Sequence, residues 1–358
     1  MGGGKPQAVP FDGDFARWIH APILPDRPGN RGRSKGRCST TAFQFVGIRA
    51  VRHNRQSAAG AEKGHHVPVI VVTSIGQGEG KTGVAAAIAR HYAYLGQSVR
   101  LVRLASQLPG SHADDDAAYF ASLSYAPGSP AAVSSWADVQ DAHGTVSVVE
   151  ADAASFPAPA GAAVVHVSRS VATAAPEGTA PVVSVVTAAA GVRGVSAAQP
   201  EGGPLRVDLG DDQTLAGFSI PEARAMLNAE VLVEGDDTGA TCDYLVIAPI
   251  SSDAGQPYFK RFESKAVVVR FDKTDMHLAA MRADPVCLIL TGGRRPSEYL
   301  FDAAASNGIP VLLSRTDTEN TVIALEGIFD STRFTGERKL NRMCELLEQT
   351  PLFDALGR

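Results

Sequence analysis

Cysteine is scarce in this sequence, and long apolar runs are missing from it. The four cysteines among 358 residues are Cys38, Cys242, Cys287 and Cys344, and no two of them form a Cys-x-x-Cys pair. Scattered thiols of this kind argue against a disulfide framework and favour a reducing compartment, so we expect core thiols in a cytoplasmic protein. No stretch reaches the ~18–20 apolar residues of a membrane-spanning helix, so no membrane association is expected.

Aromatic residues and positive charge are also limited. Aromatics make up 6% of the chain against 44% hydrophobic residues in all, so we expect cores built mainly from Val, Ala, Leu and Ile. The formal net charge is −5, which argues against a general nucleic-acid-binding protein. A chain of this length is expected to hold roughly two domains.

The charge is unevenly divided along the chain. Residues 1–66 hold 11 Lys or Arg against 4 Asp or Glu, whereas the remainder is acidic. This stretch is rich in Gly, Pro, Arg and Ser and shows no sustained apolar period, so we expect no packed core from it. Three interpretations stay open: a disordered basic leader, a transit peptide for a plastid or mitochondrion, and an unused upstream start. Asp12, Asp14 and Asp26 count against the transit peptide, because such peptides are poor in acidic residues.

From residue 67 onward, short apolar runs alternate with helical patterns. Val69 to Val72 form a continuous apolar run, as in strands buried on both faces, and an Ala-rich helical pattern follows over Thr82 to Leu95. A Gly-Gly-Pro break at 202–204 precedes a second series of strands and helices. The alternation predicts a doubly wound parallel α/β sheet over 67–210, a smaller α/β domain over 211–330, and a C-terminal helix and tail over 331–358.

A glycine-rich segment lies directly between the first predicted strand and the first predicted helix. Residues 74–82 read Ser-Ile-Gly-Gln-Gly-Glu-Gly-Lys-Thr. Glycines let the backbone present N–H groups to phosphate, and the following helix adds the positive end of its dipole. Lys81 would reach the β- and γ-phosphates, and Thr82 would offer its hydroxyl to Mg²⁺. The segment predicts an ATP and Mg²⁺ site with nucleotide contacts from Gly76, Gly78, Glu79, Gly80, Lys81 and Thr82.

One position departs from the standard G-x-x-x-x-G-K-[ST] pattern. Ile75 stands where the first Gly is expected, although Gly76 and Gly78 supply flexibility beside it. The alternative interpretation is therefore a Gly-rich strand-to-helix turn that binds no ligand.

The loop spacing resembles that of dethiobiotin synthetase-like P-loop proteins, whose loops are one residue longer than usual. The resemblance implies a P-loop NTPase-like fold and a ligand contact after the second strand, where Arg103 replaces the family's Lys. It also implies an acidic residue at a later strand end. Glu150 or Asp152 fits that place, and we assign Glu150, with Thr82, to Mg²⁺. Asp114 to Asp116 are interpreted as a solvated loop, with an acidic cluster near the cleft as the alternative.

The Gly-Glu-Gly-Lys run of this loop is also similar to the loop of bacterial tyrosine kinases. Those kinases typically end in a Tyr-rich tail, and residues 350–354 contain no tyrosine. We therefore set the kinase interpretation aside.

The second domain contains three elements that each follow a predicted strand. Asp-Lys at 272–273, Thr-Gly-Gly at 291–293 and Asp-Thr at 317–318 together resemble the DRTGG domain over residues 213–325, with Lys273 in place of the family's Arg. Small residues and free amides at the carboxyl ends of parallel strands suit ligand binding, although the glycines could instead only make tight turns. The residues predicted for this second ligand site are Asp272, Lys273, Thr291, Gly292, Gly293 and Asp317.

The order of the two domains resembles the N-terminal half of long-form phosphotransacetylase. In that enzyme the acetyl-transferring domain comes afterwards, and this chain ends at Arg358. The resemblance implies a nucleotide-binding regulatory protein that is not itself a phosphate acetyltransferase. The expected partners are an adenine nucleotide and either a second copy of the chain or an enzyme of acetyl-phosphate metabolism.

Two enzymatic alternatives stay open, and no catalytic residue is assigned. One is an ATP-dependent carboxylate-activating synthase of the dethiobiotin or cobyrinate type, in which Lys81 and Mg²⁺ would stabilise the transferred phosphoryl group. Arg103, standing where a substrate Lys is expected, counts against it. The other is slow NTP hydrolysis that drives a conformational switch.

Overall fold

The computed structural model describes residues 69–106, 111–127, 132–139, 144–236, 239–248 and 257–357. The basic leader and its three interpretations lie outside these residues, as does Cys38. Cys242, Cys287 and Cys344 are buried free thiols, which confirms their prediction as core residues. Every helix in the described part of the chain is too short or too polar to span a bilayer.

A seven-stranded, mainly parallel sheet dominates the first half of the described chain. Its strands lie in the order β2-β3-β1-β4-β5-β7-β6, and β6 runs antiparallel to β7. Ile70, Val71 and Val72 in the central strand are fully buried, as their continuous apolar run predicts. In chain order the strands are β1 (Val69–Ser74), β2 (Ser98–Arg103), β3 (Thr145–Asp152), β4 (Ala163–Ser168), β5 (Val183–Val186), β6 (Val195–Ala198) and β7 (Leu205–Leu209).

Helices cover one face of this sheet. Two of them, α1 (Lys81–Tyr94) and α2 (Ala113–Ser122), contribute to the hydrophobic core on that face. The hydrophobic cluster on the other face receives, within the described residues, loop segments with Trp136 and Phe156 and no α-helix. This face differs from the doubly wound arrangement that the sequence predicts, because the connection at 153–162 is short and interrupted by prolines.

A second, five-stranded sheet follows, in the order β11-β12-β13-β14-β9. Its neighbours are parallel except for β9, which is antiparallel to β14. Helices cover both faces of this sheet: α5 and α6 pack on one side, and α4, α7 and α8 pack on the other. The elements are α3 (Gln213–Ala216), β8 (Phe218–Ser219), α4 (Ile220–Leu227), β9 (Glu230–Val233), β10 (Thr241–Cys242), β11 (Tyr244–Ile247), β12 (Lys265–Arg270), α5 (Thr274–Met281), β13 (Cys287–Thr291), α6 (Glu298–Ser306), β14 (Val311–Leu313), α7 (Thr318–Glu326) and α8 (Ile328–Ser331).

The chain then returns to the first sheet. The last helices are α9 (Glu337–Glu348), within the C-terminal segment 331–358 for which a helix is predicted, and α10 (Leu352–Ala355). Leu340, Met343 and Leu347 of α9 belong to the same core as α1. Gly83 of α1 permits this close packing, since a Cβ there would lie 2.7 Å from the ring of Phe334. The core of the first sheet is therefore completed by residues that follow the second sheet.

Candidate functional site

The glycine-rich segment forms the predicted turn between β1 and α1. Gly78 and Gly80 have φ values of +68° and +96°, a backbone conformation that residues with a Cβ rarely adopt. Ile75 is about half exposed, so the turn accommodates it without burying a side chain where the standard pattern has glycine. Gly80 is the N-cap of α1 and supplies no side-chain cap, and the first turn of α1 contains no acidic residue. The positive end of the α1 dipole is therefore not neutralised by a side chain of its own first turn.

Two hydrogen bonds from residues outside the loop hold it at Glu79. The Thr187 hydroxyl donates a hydrogen bond of 2.9 Å to the Glu79 carbonyl. The Glu79 carboxylate accepts a hydrogen bond from the backbone N–H of Arg169. Glu79 thus anchors the loop to the segments that follow β4 and β5. Thr187 and Arg169 were missed from the sequence, because no local motif marks them.

Lys81 is folded back into the loop. Its Nζ donates to Ser74 Oγ at 2.8 Å and to the Gly76 carbonyl at 3.1 Å, and it lies 3.2 Å from Asp152 Oδ1. The residue is only 4% exposed. The ammonium group is therefore positioned among loop acceptors that a phosphate oxygen could replace. Ser74 and Asp152 position it here, and Ser74 has no role in the standard pattern that would have identified it.

Arg103 lies at the centre of a buried charged cluster. Its guanidinium donates to Asp152 Oδ2 at 3.0 Å and lies 3.7 Å from both Glu150 Oε1 and Asp116 Oδ2. Arg103, Glu150 and Asp152 are each 2% exposed or less. These three side chains point to the helix-covered face, at the carboxyl ends of the neighbouring strands β2 and β3. The sequence predicted Arg103 as a nucleotide contact, and in this structure its nitrogens are directed at carboxylates.

The prediction of a solvated loop for Asp114 to Asp116 is wrong. These residues form the first turn of α2, where acidic side chains are stabilised by the helix dipole. Asp116 turns inward to the charged cluster, while Asp115 pairs with Arg333 at 2.6 Å. The preference of aspartate for helix N-termini is the sequence signal that could have identified this turn.

The pKa values of the three carboxylates of the cluster are shifted in different directions. Burial raises the pKa of Glu150 to about 7, with the charge of Arg103 acting in the opposite direction. Burial also raises the pKa of Asp116. For Asp152, burial again acts upward, but hydrogen bonds and the charges of Arg103 and Lys81 outweigh it and lower the pKa. Asp152 is therefore the main counterion of the two cations, and Glu150 gains or loses its charge near neutral pH.

The Thr82 hydroxyl and the Glu150 carboxylate fit a magnesium ion. Thr82 Oγ1 lies 3.3 Å from Glu150 Oε1, and the buried Glu150 Oε2 has no hydrogen-bond partner. Both groups supply the hard oxygen ligands that Mg²⁺ prefers, and Mg²⁺ usually takes one or two carboxylates together with phosphates and water. Within the described residues no group of three or more His, Cys, Asp or Glu is arranged to hold a metal by itself. A metal here would therefore depend on ligand phosphates.

We expect Glu150→Gln to stabilise the protein against unfolding by about 1–3 kcal/mol at about pH 8. The folded-state pKa of about 7 exceeds the ordinary value of 4.5, so between these values the folded protein holds a proton that the unfolded chain has released. The stability of the wild type therefore falls as pH rises from about 4.5 to about 7. The stability of the variant does not fall in this way, because glutamine does not titrate. Urea unfolding at about pH 5 and pH 8 checks this, with the exposed Glu201→Gln as control. Parallel pH profiles for wild type and Glu150→Gln would contradict it.

The second predicted site lies at the carboxyl edge of β12, β13 and β14, but its amides are not free. The N–H of Gly292 donates to the Thr316 carbonyl at 2.7 Å, and that of Gly293 donates to the Ser314 carbonyl at 3.0 Å. Thr291 Oγ1 is hydrogen bonded to Thr318 Oγ1 at 2.7 Å. The expectation of free amides is therefore wrong, because the chain after β14 uses them.

The other predicted residues of that edge are also engaged locally. Asp317 caps α7 by accepting from the Asn320 N–H at 2.8 Å, and Asp272 forms an exposed ion pair of 3.1 Å with Arg270. Lys273 is exposed at the N-cap of α5. Gly292 has a φ of +95°, and a Cβ there would lie 2.8 Å from the Phe271 ring. The Thr-Gly-Gly element therefore forms a tight turn at this edge of the sheet.

Comparison with known proteins identifies a DRTGG domain in this chain. The family match covers residues 223–328, which confirms the DRTGG resemblance within the predicted domain. A solved structure of the CBS and DRTGG domains of the regulatory region of Clostridium perfringens pyrophosphatase, complexed with the activator diadenosine tetraphosphate, matches with 17% identity and a TM-score of 0.29. The match covers 36% of this chain and 56% of that chain.

Proposed function

We propose that this protein binds Mg·ATP at the loop of residues 74–82 and acts as a nucleotide-responsive regulatory protein. The observation that carries the proposal is the position of Lys81 and Thr82 at the uncapped N-terminus of α1, beside the buried carboxylate of Glu150. A metal-bound triphosphate is recognised by backbone N–H groups and an ammonium, which contact the phosphates, and by a hydroxyl and a carboxylate, which contact the metal. The DRTGG domain supports the regulatory part of the proposal.

The residues around the loop have separate roles in this proposal. The amides of the segment and of the first turn of α1 donate to phosphate oxygens, as a P-loop NTPase-like fold requires. Lys81 exchanges its contacts with Ser74 and Gly76 for the terminal phosphates. Thr82 and Glu150 hold Mg²⁺, which neutralises phosphate charge when it is bound. Asp152 holds the Lys81 ammonium through an ion pair, and Arg103 in turn holds Asp152.

The geometry favours a regulatory protein over the carboxylate-activating synthase. In the synthase, the residue at position 103 would face a substrate. Here the Arg103 guanidinium is buried and committed to Asp152 and the Leu104 carbonyl. The domain order is similar to that of the N-terminal half of long-form phosphotransacetylase, which precedes the acetyl-transferring domain of that enzyme. Slow NTP hydrolysis is compatible with this proposal, since the regulatory site and a hydrolytic site would share the same phosphate contacts.

Calorimetric titration of the full chain with ATP, with and without Mg²⁺, tests the proposal. Wild type is expected to bind one Mg·ATP per loop. Thr82→Val is expected to weaken Mg·ATP roughly tenfold, the effect of losing one ligand or hydrogen bond of ~1.4 kcal/mol, and to leave metal-free ATP unchanged.

Thr73→Val is the matched control for this titration. Thr73 is a fully buried residue of β1, directly before Ser74, and its hydroxyl has no hydrogen-bond partner. Its side chain points to the face of the sheet opposite the helix-covered face. We expect it to bind Mg·ATP as wild type does. The absence of ATP binding by wild type would refute the proposed function.

A further inference from the structure

Three of the five residues between α8 and α9, Thr332 to Phe334, contact both the DRTGG domain and the helices beside the phosphate loop. We name them the connecting segment. On the DRTGG side, the Glu222 carboxylate accepts from the Arg333 N–H at 2.8 Å and from the Thr332 hydroxyl at 3.1 Å. The same carboxylate accepts from the N–H and hydroxyl of Ser219, the N-cap of α4. The start of α4 and the connecting segment are therefore joined through one side chain.

The other side of the connecting segment reaches the candidate nucleotide site. Arg333 extends to Asp115 in the first turn of α2, next to Asp116 of the charged cluster. The Phe334 ring packs on Gly83, directly after Lys81 and Thr82 in the first turn of α1. The segment thus contacts the starting turns of both helices that border the phosphate loop.

Lys339 fixes the backbone of the connecting segment from α9. Its Nζ donates to the Thr332 hydroxyl at 3.1 Å and to the Arg333 carbonyl at 2.6 Å, and the side chain is 1% exposed. Burial lowers the pKa of this ammonium to about 8, and the charges of Glu222 and Asp243 act in the opposite direction. The segment is therefore held by hydrogen bonds from both sides, through Glu222 of α4 and through Lys339 of α9, so a displacement of α4 is passed to its backbone.

We propose that the connecting segment couples the DRTGG domain to the phosphate loop, so that a displacement of α4 changes nucleotide affinity at Lys81 and Thr82. The coupling rests on the proposed nucleotide site. By linkage, nucleotide binding at the loop must in return change the stability of the start of α4. The DRTGG domain acts in this way without contributing any residue to the nucleotide site.

The first arm of the test measures Mg·ATP affinity by calorimetry in the full chain. Glu222→Gln keeps the side-chain size but replaces one acceptor oxygen by a donor, opposite the N–H groups of Ser219 and Arg333. We expect it to weaken Mg·ATP roughly 5–20-fold, in the usual range of coupling between sites. Thr332→Val, which removes one hydroxyl, is a milder second variant with an effect in the same direction.

The matched control is Arg342→Gln. This substitution breaks another ion pair of α9, with Asp212 at 2.8 Å, that does not pass through the connecting segment. We expect Arg342→Gln to leave Mg·ATP affinity within about twofold of wild type. A loss of thermal stability in Glu222→Gln and Thr332→Val with unchanged affinity would assign a purely structural role and overturn the coupling.

The second arm needs no nucleotide. Exchange of the first hydrogen-bonded amides of α1 and α2, those of Val84 and Asp116, is expected to quicken in Glu222→Gln and Thr332→Val and to stay unchanged in Arg342→Gln. Unchanged exchange in all three would overturn the coupling even if wild type binds ATP. If wild type binds no ATP but exchange responds as expected, the nucleotide site fails while the coupling holds.

Discussion

Replacing Arg103 with methionine is expected to lower the free energy of unfolding by about 3–5 kcal/mol. The substitution leaves the buried carboxylates Asp152 and Glu150, and the partly buried Asp116, with Lys81 as their one neighbouring cation among the described contacts. Uncompensated negative charge in a buried site is costly, and Asp152 would also lose its 3.0 Å hydrogen bond. Urea unfolding at neutral pH measures this loss.

Arg100→Met is the matched control for that substitution. Arg100 lies on the same strand, on the other side of it, and its long 3.5 Å contact to the Asp138 carbonyl is exposed. We expect it to change stability by less than about 0.5 kcal/mol. Adding Asp152→Asn to Arg103→Met should recover part of the loss, because the two residues interact directly. A loss below about 1 kcal/mol for Arg103→Met would contradict the charged cluster.

The second large effect concerns binding. Lys81→Met is expected to weaken Mg·ATP at least 100-fold, about 2.7 kcal/mol or more, because it removes a charge-assisted contact to the terminal phosphates. The same substitution removes the 3.2 Å ion pair with Asp152 and lowers stability. Calorimetric titration well below the unfolding temperature separates the two consequences, since a folded variant that does not bind has lost recognition.

Lys265→Met controls for the loss of a buried lysine. Lys265 is 2% exposed in the second sheet and donates to the Ala283 carbonyl, far along the chain from the loop. Its replacement should leave Mg·ATP affinity unchanged. If Lys81→Met bound Mg·ATP within about tenfold of wild type, the loop would not be the nucleotide site, and Ile75 would be the first position to examine.

The region from β1 to α1 is the part that the sequence predicts most closely. A continuous apolar run, a glycine-rich turn and an Ala-rich helix ending near Gly96 are all local signals, and the helix begins at Lys81, one residue before the predicted start. The strands of the second domain were equally visible as apolar runs bounded by turn residues. Local patterns of this kind depend on few distant contacts, so they are readable from the chain alone.

The roles of Arg103, Gly292 and Gly293 could not be read in the same way. Strand alternation places Arg103 on a known face, but its partner Asp116 comes from a helix beyond the strand. Whether the amides of Gly292 and Gly293 are free depends on the carbonyls of Ser314 and Thr316, which lie next to them because β14 pairs with β13. Each outcome rests on pairings between segments, and no local motif encodes those pairings.

The packing of α9 against α1 bears on how the protein is made. Arg90 of α1 is hydrogen bonded to Asn341 of α9, across 251 residues of sequence. While the ribosome is still synthesising the second sheet, the outer surface of α1 lacks Leu340, Met343 and Leu347, its covering side chains. Although α1 emerges well before the second sheet, it is therefore among the last helices to complete its packing, and long-range closure of this kind slows folding. A nascent chain presents an apolar α1 to chaperones until α9 has left the exit tunnel.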